Sequence, residues 1–150
     1  MNHLTPRAKN VLDLAKDIAR EYGQGYVGTE HLLLAIIREG TGLGAKSLVA
    51  EGVTEEAARE VIDELVKDRL HETWVIGRLP GTPNYRDVLS RAAHEARGQG
   101  NWLIGSAHFL LALLAEEDSL GAQTLRELGV SDEAIRKRLR GVTVSLQDGK

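Results

Sequence analysis

The chain has 150 residues, which is the size of one domain or of two very small ones. It contains no cysteine and carries a formal net charge of −3, so disulfides and thiolate metal sites are excluded, and no basic patch favours binding to nucleic acid or to a membrane surface. No apolar stretch approaches the roughly 20 residues that span a bilayer, and we expect a soluble, cytoplasmic and monomeric protein.

The first two helices of the chain are indicated by their capping residues. Thr5 can accept a hydrogen bond from a free backbone N–H and is followed by Pro6, which suits the first helical position, so we predict a helix from here to near Gly23. Thr29 is predicted to cap a second helix, whose run LLLAII is apolar nearly all round. A helix of that kind is expected to lie in the centre of a bundle.

Two further helices and a connecting segment follow. A short third helix is predicted to end at Gly52, and Thr54 is predicted to cap a fourth helix. Glu55 and Glu56 then occupy the first turn of that helix, where negative charge suits the positive end of the helix dipole. The segment HETWVIGRLPG at 71–81 contains one proline and two glycines, and we interpret it as a connector.

The rest of the sequence repeats this pattern. At an offset of 77 residues, 23 of the 58 positions from Thr5 to Ile62 are identical without a gap, a register that chance similarity between helices does not maintain. In the second copy, Ser106 is predicted to cap the helix that corresponds to the one capped by Thr29. The sequence therefore predicts an all-α fold, an eight-helix pseudo-two-fold domain made of two tandem four-helix repeats. Its parts are repeat one at 4–70, the connector at 71–81, repeat two at 82–140 and a flexible tail at 141–150.

The adjacent Glu30 and His31 are the first candidate for chemistry. Zinc peptidases place two histidines four residues apart on one helical face together with a glutamate, and that spacing is absent here. Adjacent helical residues also point about 100° apart. The second copy keeps His108 but has Ala107 in the place of Glu30. We therefore predict that His31 and His108 are partly buried scaffold residues that bind no metal.

The segment GTGLGAKS at 40–47 is the second candidate, since it differs by one residue from a phosphate-binding P-loop. Ala45 stands where the P-loop has the glycine before its lysine, and the second copy has Gln123 in place of Lys46. A P-loop also follows a strand, whereas this segment follows a predicted helix. We predict a glycine-rich turn without nucleotide binding. The sequence shows no other catalytic pattern, so we predict no catalytic residue, no cofactor and no metal.

The two units of the form TPRAKNVLDLAKDIAR…GTEHLLLAIIREGTGLGAKSL…GV resemble the duplicated N-terminal domain of the Clp unfoldases, in particular those of the ClpC type. The resemblance covers residues 4 to about 140. In that family the domain receives substrates and adaptors, and it sits on an AAA+ ATPase ring that threads proteins into a partner peptidase. The resemblance implies a non-enzymatic protein-binding module of the chaperone and stress-response machinery. Its implied partners are substrate proteins, adaptor proteins and the ATPase ring.

ClpC-type domains also recognise phosphorylated arginine, and the resemblance carries two residues over to this role. Thr5 matches the position that holds the phosphate at a helix N-terminus, and Glu30 matches the carboxylate that receives the guanidinium. In the second copy Thr82 is kept, but Ala107 offers no carboxylate, so the resemblance implies a degenerate second site. In the simpler interpretation, Thr5 is only a helix cap and Glu30 only a favourable charge in a first turn.

Two alternatives remain open. No ATPase module is present in this sequence, so we expect either an excised N-terminal domain or a stand-alone double-repeat protein. The stand-alone protein would sequester Clp substrates, adaptors or Clp-directed peptides. An alternative of another class is a small helical hydrolase that uses Glu30, His31 or His108.

Overall fold

The computed structural model describes residues 3–67 and 82–140. Within these ranges the chain forms eight α-helices and no strand, and Leu4 and Ile104 make an isolated parallel bridge. The predicted all-α fold of two four-helix repeats is confirmed, while the connector at 71–81 and the tail at 141–150 lie outside the described residues. The helices are α1 Pro6–Glu21, α2 Thr29–Glu39, α3 Leu43–Ala50, α4 Glu55–Lys67, α5 Pro83–Gly98, α6 Ser106–Ala115, α7 Leu120–Glu127 and α8 Asp132–Arg140.

The predicted caps of α1 and α5 are confirmed. The Ala8 N–H donates to Thr5 Oγ1 over 3.1 Å, and the Tyr85 N–H donates to Thr82 Oγ1 over 3.1 Å. A proline occupies the first helical position after each threonine, where its missing N–H costs nothing. At its C-terminal end α1 stops before Gly23, whose φ of +69° is readily adopted only by glycine.

The predicted caps of α2 and α6 are wrong by one residue. Gly28 is the N-cap of α2, and Thr29 is the first helical residue. The capping contact comes instead from His31, whose Nδ1 accepts a hydrogen bond of 2.8 Å from the Gly28 N–H. A ring nitrogen three residues into the helix thus takes the place that a glutamate side chain takes in a capping box. The second copy repeats this arrangement with Gly105, Ser106 and His108.

The hydroxyls of Thr29 and Ser106 serve the other repeat. The Gly121 N–H at the start of α7 donates to Thr29 Oγ1 over 2.9 Å, and the Gly44 N–H at the start of α3 donates to Ser106 Oγ over 3.0 Å. Both N–H groups belong to the first turn of a helix, where no intrahelical acceptor exists. We call this symmetric pair of hydrogen bonds the crossed clasps.

Both clasps depend on a glycine. A Cβ added to Gly44 would lie 2.9 Å from the backbone oxygen of Ser106. One added to Gly121 would lie 2.8 Å from Leu113 Cδ2 and 3.0 Å from the backbone oxygen of Thr29. The two repeats therefore approach each other backbone to backbone, which only a residue without a side chain permits.

The central helices α2 and α6 form the middle of the core. Each buries an unbroken run of eight residues, from Thr29 to Ile36 and from Ser106 to Leu113, as their all-round apolar sequences predict. The flanking helices contribute small residues such as Ala15 and Ala92, both fully buried, that let the backbones pack closely. No described helix is both long and apolar enough to span a membrane.

Replacing Gly44 with alanine is expected to destabilise the fold by about 1–3 kcal/mol, because the new methyl group would overlap the Ser106 backbone. Chemical denaturation of the purified protein measures this change. Gly98→Ala is the matched control, since a Cβ there meets nothing within 4 Å and lies at the end of a helix. Equal stability of the two variants would contradict the close approach at the clasp.

Candidate functional site at the junctions between the repeats

The N-terminus of each long outer helix lies beside the other repeat. The Thr82 N–H donates to the backbone oxygen of Val27 over 3.0 Å, which places the start of α5 just ahead of α2. In the symmetric position, the Thr5 N–H donates to the backbone oxygen of Ile104 over 3.0 Å, just ahead of α6. We call the first the Glu30 junction and the second the Ala107 junction, after the residue that each central helix contributes.

Thr5 and Glu30 are not brought together. The Arg7 side chain, close to Thr5, donates to Thr41 Oγ1 over 2.9 Å, and Thr41 lies beyond the C-terminal end of α2. Glu30 lies in the first turn of the same helix, whose 11 residues extend over about 16 Å. The two residues that the resemblance implied therefore lie towards opposite ends of α2. The helix-capping threonine on the side of the N-terminus of α2 is Thr82, whose N–H donates to the Val27 oxygen.

The Glu30 carboxylate is buried at the start of α2. Glu30 is only 3% exposed, and the Tyr26 hydroxyl donates to its Oε2 over 3.4 Å. The side chain folds back over Gly28, where an added Cβ would overlap Oε1. Gly28 thus leaves the space that the carboxylate occupies. Its position at a helix N-terminus is electrostatically favourable for a negative charge.

His31 is a neutral scaffold residue next to this carboxylate. It is 1% exposed, and because its Nδ1 accepts the Gly28 N–H, the proton of the neutral ring resides on Nε2. The rings of Tyr22 and Tyr26 flank it at centroid distances of 5.7 and 5.6 Å. Burial, with a smaller contribution from the positive charge of Arg59, lowers the pKa of His31 to about 4. The predicted burial of both histidines near their helix starts is confirmed, since His108 is also 1% exposed.

The Ala107 junction has different chemistry. Ala107 is buried and offers no carboxylate, while Trp102 and Leu103 are 73% and 42% exposed on the segment before α6. The Trp102 ring contacts the His3 ring at 4.5 Å between centroids. Trp102 is not among the site residues predicted from the sequence, although the 77-residue offset aligns it with Gly25 and so indicates a large change in side chain there.

Only residues 40–42 of the glycine-rich segment at 40–47 form a turn between α2 and α3. Residues 43–47 belong to α3, so the predicted turn is confirmed for its first three residues alone. The backbone N–H groups of Thr41 and Gly42 in this segment are already hydrogen-bonded. They donate to the Glu39 carboxylate over 3.1 and 2.8 Å. A phosphate would have to compete with this carboxylate. Within residues 3–67 and 82–140, no three His, Asp or Glu side chains are grouped as metal ligands are.

His31 is expected to make the stability of the protein depend on pH between about 6.5 and 4. Because the pKa of His31 is lowered in the folded state, its contribution to the free energy of unfolding is complete above pH 6.5. That contribution is lost as the pH falls toward 4. The loss at pH 5 should be about 2 kcal/mol. His31→Gln is the matched variant, since glutamine can still accept the Gly28 N–H but does not titrate. Denaturation at a series of pH values should show that the difference in the free energy of unfolding between parent and variant becomes smaller below pH 6.5. A difference that does not change with pH would contradict a neutral His31 in the folded protein.

The comparisons with known proteins agree on one family. The family model described as "Clp repeat (R) N-terminal domain" matches residues 3–75 and again residues 80–149. The chain is 37% identical over 135 residues to the "ATP-dependent Clp protease ATP-binding subunit ClpA homolog, chloroplastic" of Brassica napus. It is equally similar to the "Chaperone protein ClpC1, chloroplastic" of Oryza sativa subsp. japonica. The alignments cover 90% of this chain but only 15% and 14% of those relatives.

Solved structures share the fold. The N-terminal domain of the chaperone ClpD from Arabidopsis thaliana superposes with a TM-score of 0.71 at 22% identity, covering 93% of this chain and 96% of that one. The Hsp104 N-terminal domain from Candida albicans gives a TM-score of 0.72 at 18% identity, covering 96% and 95%. Both repeats of this chain, and the fold they make together, thus match one kind of domain. The chain belongs to the Clp N-terminal repeat family.

Proposed function

We propose that this chain is a non-catalytic protein-binding module that recruits substrate or adaptor proteins to a Clp AAA+ unfoldase. The observation that carries the proposal is the family match of both repeats, in a chain that spans about 15% of the length of its Clp relatives. Among the described residues, the buried His31 and the two clasp hydroxyls hold the scaffold together and so have structural roles.

The recruiting role can be tested by competition. In a reconstituted Clp unfoldase and peptidase reaction, an excess of this chain should inhibit degradation that depends on an adaptor, because the chain would bind the adaptor. Degradation of a substrate that needs no adaptor is the control and should be less affected. Equal rates with and without the chain, for every adaptor and substrate tried, would contradict the proposal.

The ligand proposed for the Glu30 junction is a phosphorylated arginine on a target protein. In phosphoarginine the phosphate is bonded directly to the guanidinium, so the groups that read them must lie within a few ångströms of each other. The start of α5, with Thr82 as its cap, suits the phosphate, since a helix N-terminus carries positive partial charge. The Glu30 carboxylate suits the guanidinium through charge-assisted hydrogen bonds.

This proposal joins Glu30 to Thr82 rather than to Thr5. A single phosphoarginine cannot reach both Thr5 and Glu30, because α2 separates them along its length. Thr5 faces the Ala107 junction, which lacks the carboxylate. The expected asymmetry between the two sites is therefore kept, but each site combines residues of both repeats.

Glu30→Gln should weaken the binding of a phosphoarginine peptide by about tenfold to a hundredfold, since losing a charged hydrogen-bond partner costs on the order of 1.5–3 kcal/mol. Calorimetric titration measures the change, with the unphosphorylated peptide as the reference ligand. Thr82→Ala should also weaken binding, whereas Thr5→Ala should not.

The two threonine variants are matched controls, because each removes the same cap from a 16-residue helix. Weaker binding in Thr5→Ala with unchanged binding in Thr82→Ala would favour the pair that the resemblance implied. Unchanged binding in Glu30→Gln would refute both versions. Ala107→Glu is expected to add a second site, at the junction that contains Thr5.

A further inference from the structure

The exposed faces of α4 and α8 carry opposite charges at equivalent positions. At the 77-residue offset, Glu60 of α4 corresponds to Lys137 of α8, and Asp63 corresponds to Arg140. All four side chains are exposed. Both helices keep the same inward contacts, with Ile62 and its counterpart Leu139 buried in the core. The reversal of charge therefore concerns only the surfaces that face away from the domain.

The acidic face of α4 is a row of like charges. Glu56 and Glu60 are four residues apart and so adjacent on one side of the helix, and Asp63 follows within the next turn. Like charges at this spacing repel each other and weaken the helix. Within the described residues, Glu56 and Glu60 form no ion pair, and Asp63 accepts a hydrogen bond of 3.2 Å from the Tyr22 hydroxyl.

The basic face of α8 consists of Lys137 and Arg140. The neighbouring arginines are already engaged: Arg136 donates to Glu95 and Asp132, and Arg138 donates to Glu51. Lys137 and Arg140 make no ion pair within the described part of the chain, although Glu133 lies one turn before Lys137 on the helix. The two free cations lie three residues apart, the same spacing as Glu60 and Asp63 on α4.

We infer that the basic face of α8 docks on the acidic face of α4 in a second copy of this chain. The charges are complementary in sign and match in spacing, so two ion pairs form at once. Because α4 and α8 are related by the pseudo-two-fold axis, using one copy's α8 leaves its α4 available to a further copy. Such a head-to-tail contact forms a ring if its rotation closes.

The contact is expected to be weak in free chains. Ion pairs that stay exposed to solvent contribute little and are screened by salt. Copies tethered to one assembly, as the proposed function implies, would meet at an effective concentration on the order of millimolar. The inference itself does not require the ligand of the Glu30 junction, and its test is independent of any peptide.

Sedimentation velocity on the free chain tests the contact. At about 1 mM protein and about 0.01 M ionic strength, the parent should show a weight-average sedimentation coefficient that rises with concentration. At about 1 M salt, where the Debye length is about 3 Å, the rise should disappear. The double variants Lys137→Glu/Arg140→Glu and Glu60→Lys/Asp63→Lys should each abolish it. Reversing all four charges in one chain should restore it, because the two faces are then complementary again.

Lys9→Glu/Lys16→Glu is the matched control. It gives the same net charge as Lys137→Glu/Arg140→Glu but changes exposed residues of α1, so self-association should persist. A parent protein that stays monomeric at low salt would overturn the inference. The basic face of α8 would then bind an acidic segment of another protein, or of this chain, instead of a second copy. Loss of association in the control, or failure of the fourfold variant to restore it, would overturn it as well.

Discussion

The hydrogen bond from the Gly121 N–H to the Thr29 hydroxyl, with its counterpart from Gly44 to Ser106, ties the two repeats to each other. The geometry of this contact is demanding. The first turn of the third helix in each repeat, α3 or α7, must reach the first turn of the central helix in the other repeat. Only glycine at both positions allows it. Two repeats that share this contact are related by a pseudo-two-fold axis, so α2 and α6 lie side by side in the core with their N-termini at opposite ends.

The histidines supply the side-chain caps at the central helices of both repeats. The N-cap residues Gly28 and Gly105 have no side chain, and the hydroxyls of Thr29 and Ser106 accept hydrogen bonds from the other repeat. The backbone N–H groups of Gly28 and Gly105 donate to the ring nitrogens of His31 and His108. His31 must stay neutral in this role, and burial lowers its pKa so that it does. The adjacent Glu30 and His31 look like a catalytic pair in the sequence. In the structure His31 is a structural residue, and Glu30 is the candidate for binding a ligand.

Much of the fold could be predicted from local sequence. Short sequence patterns predict the Thr-Pro starts of α1 and α5 and the apolar runs of α2 and α6. The internal repeat is visible at a single offset of 77 residues. The caps of α2 and α6 could not be predicted, because the partners of Thr29 and Ser106 are 92 and 62 residues away in the chain. The same limit applies to the site. The resemblance paired Thr5 with Glu30 within one repeat, whereas the hydrogen bond from the Thr82 N–H to the Val27 oxygen brings the start of α5 close to the start of α2.

The differences between the copies show where a duplicated scaffold is free to change. The positions that make the clasps and their supporting caps are the same or chemically similar in both repeats: Gly28 and Gly105, His31 and His108, Gly44 and Gly121. Positions at the junctions differ in chemistry, since Glu30 corresponds to Ala107 and Gly25 to Trp102. The reason is physical, because an altered clasp would separate the repeats, while an altered junction residue changes only what that junction can bind. A symmetric fold can therefore present two chemically different surfaces without any cost to the contact that holds it together.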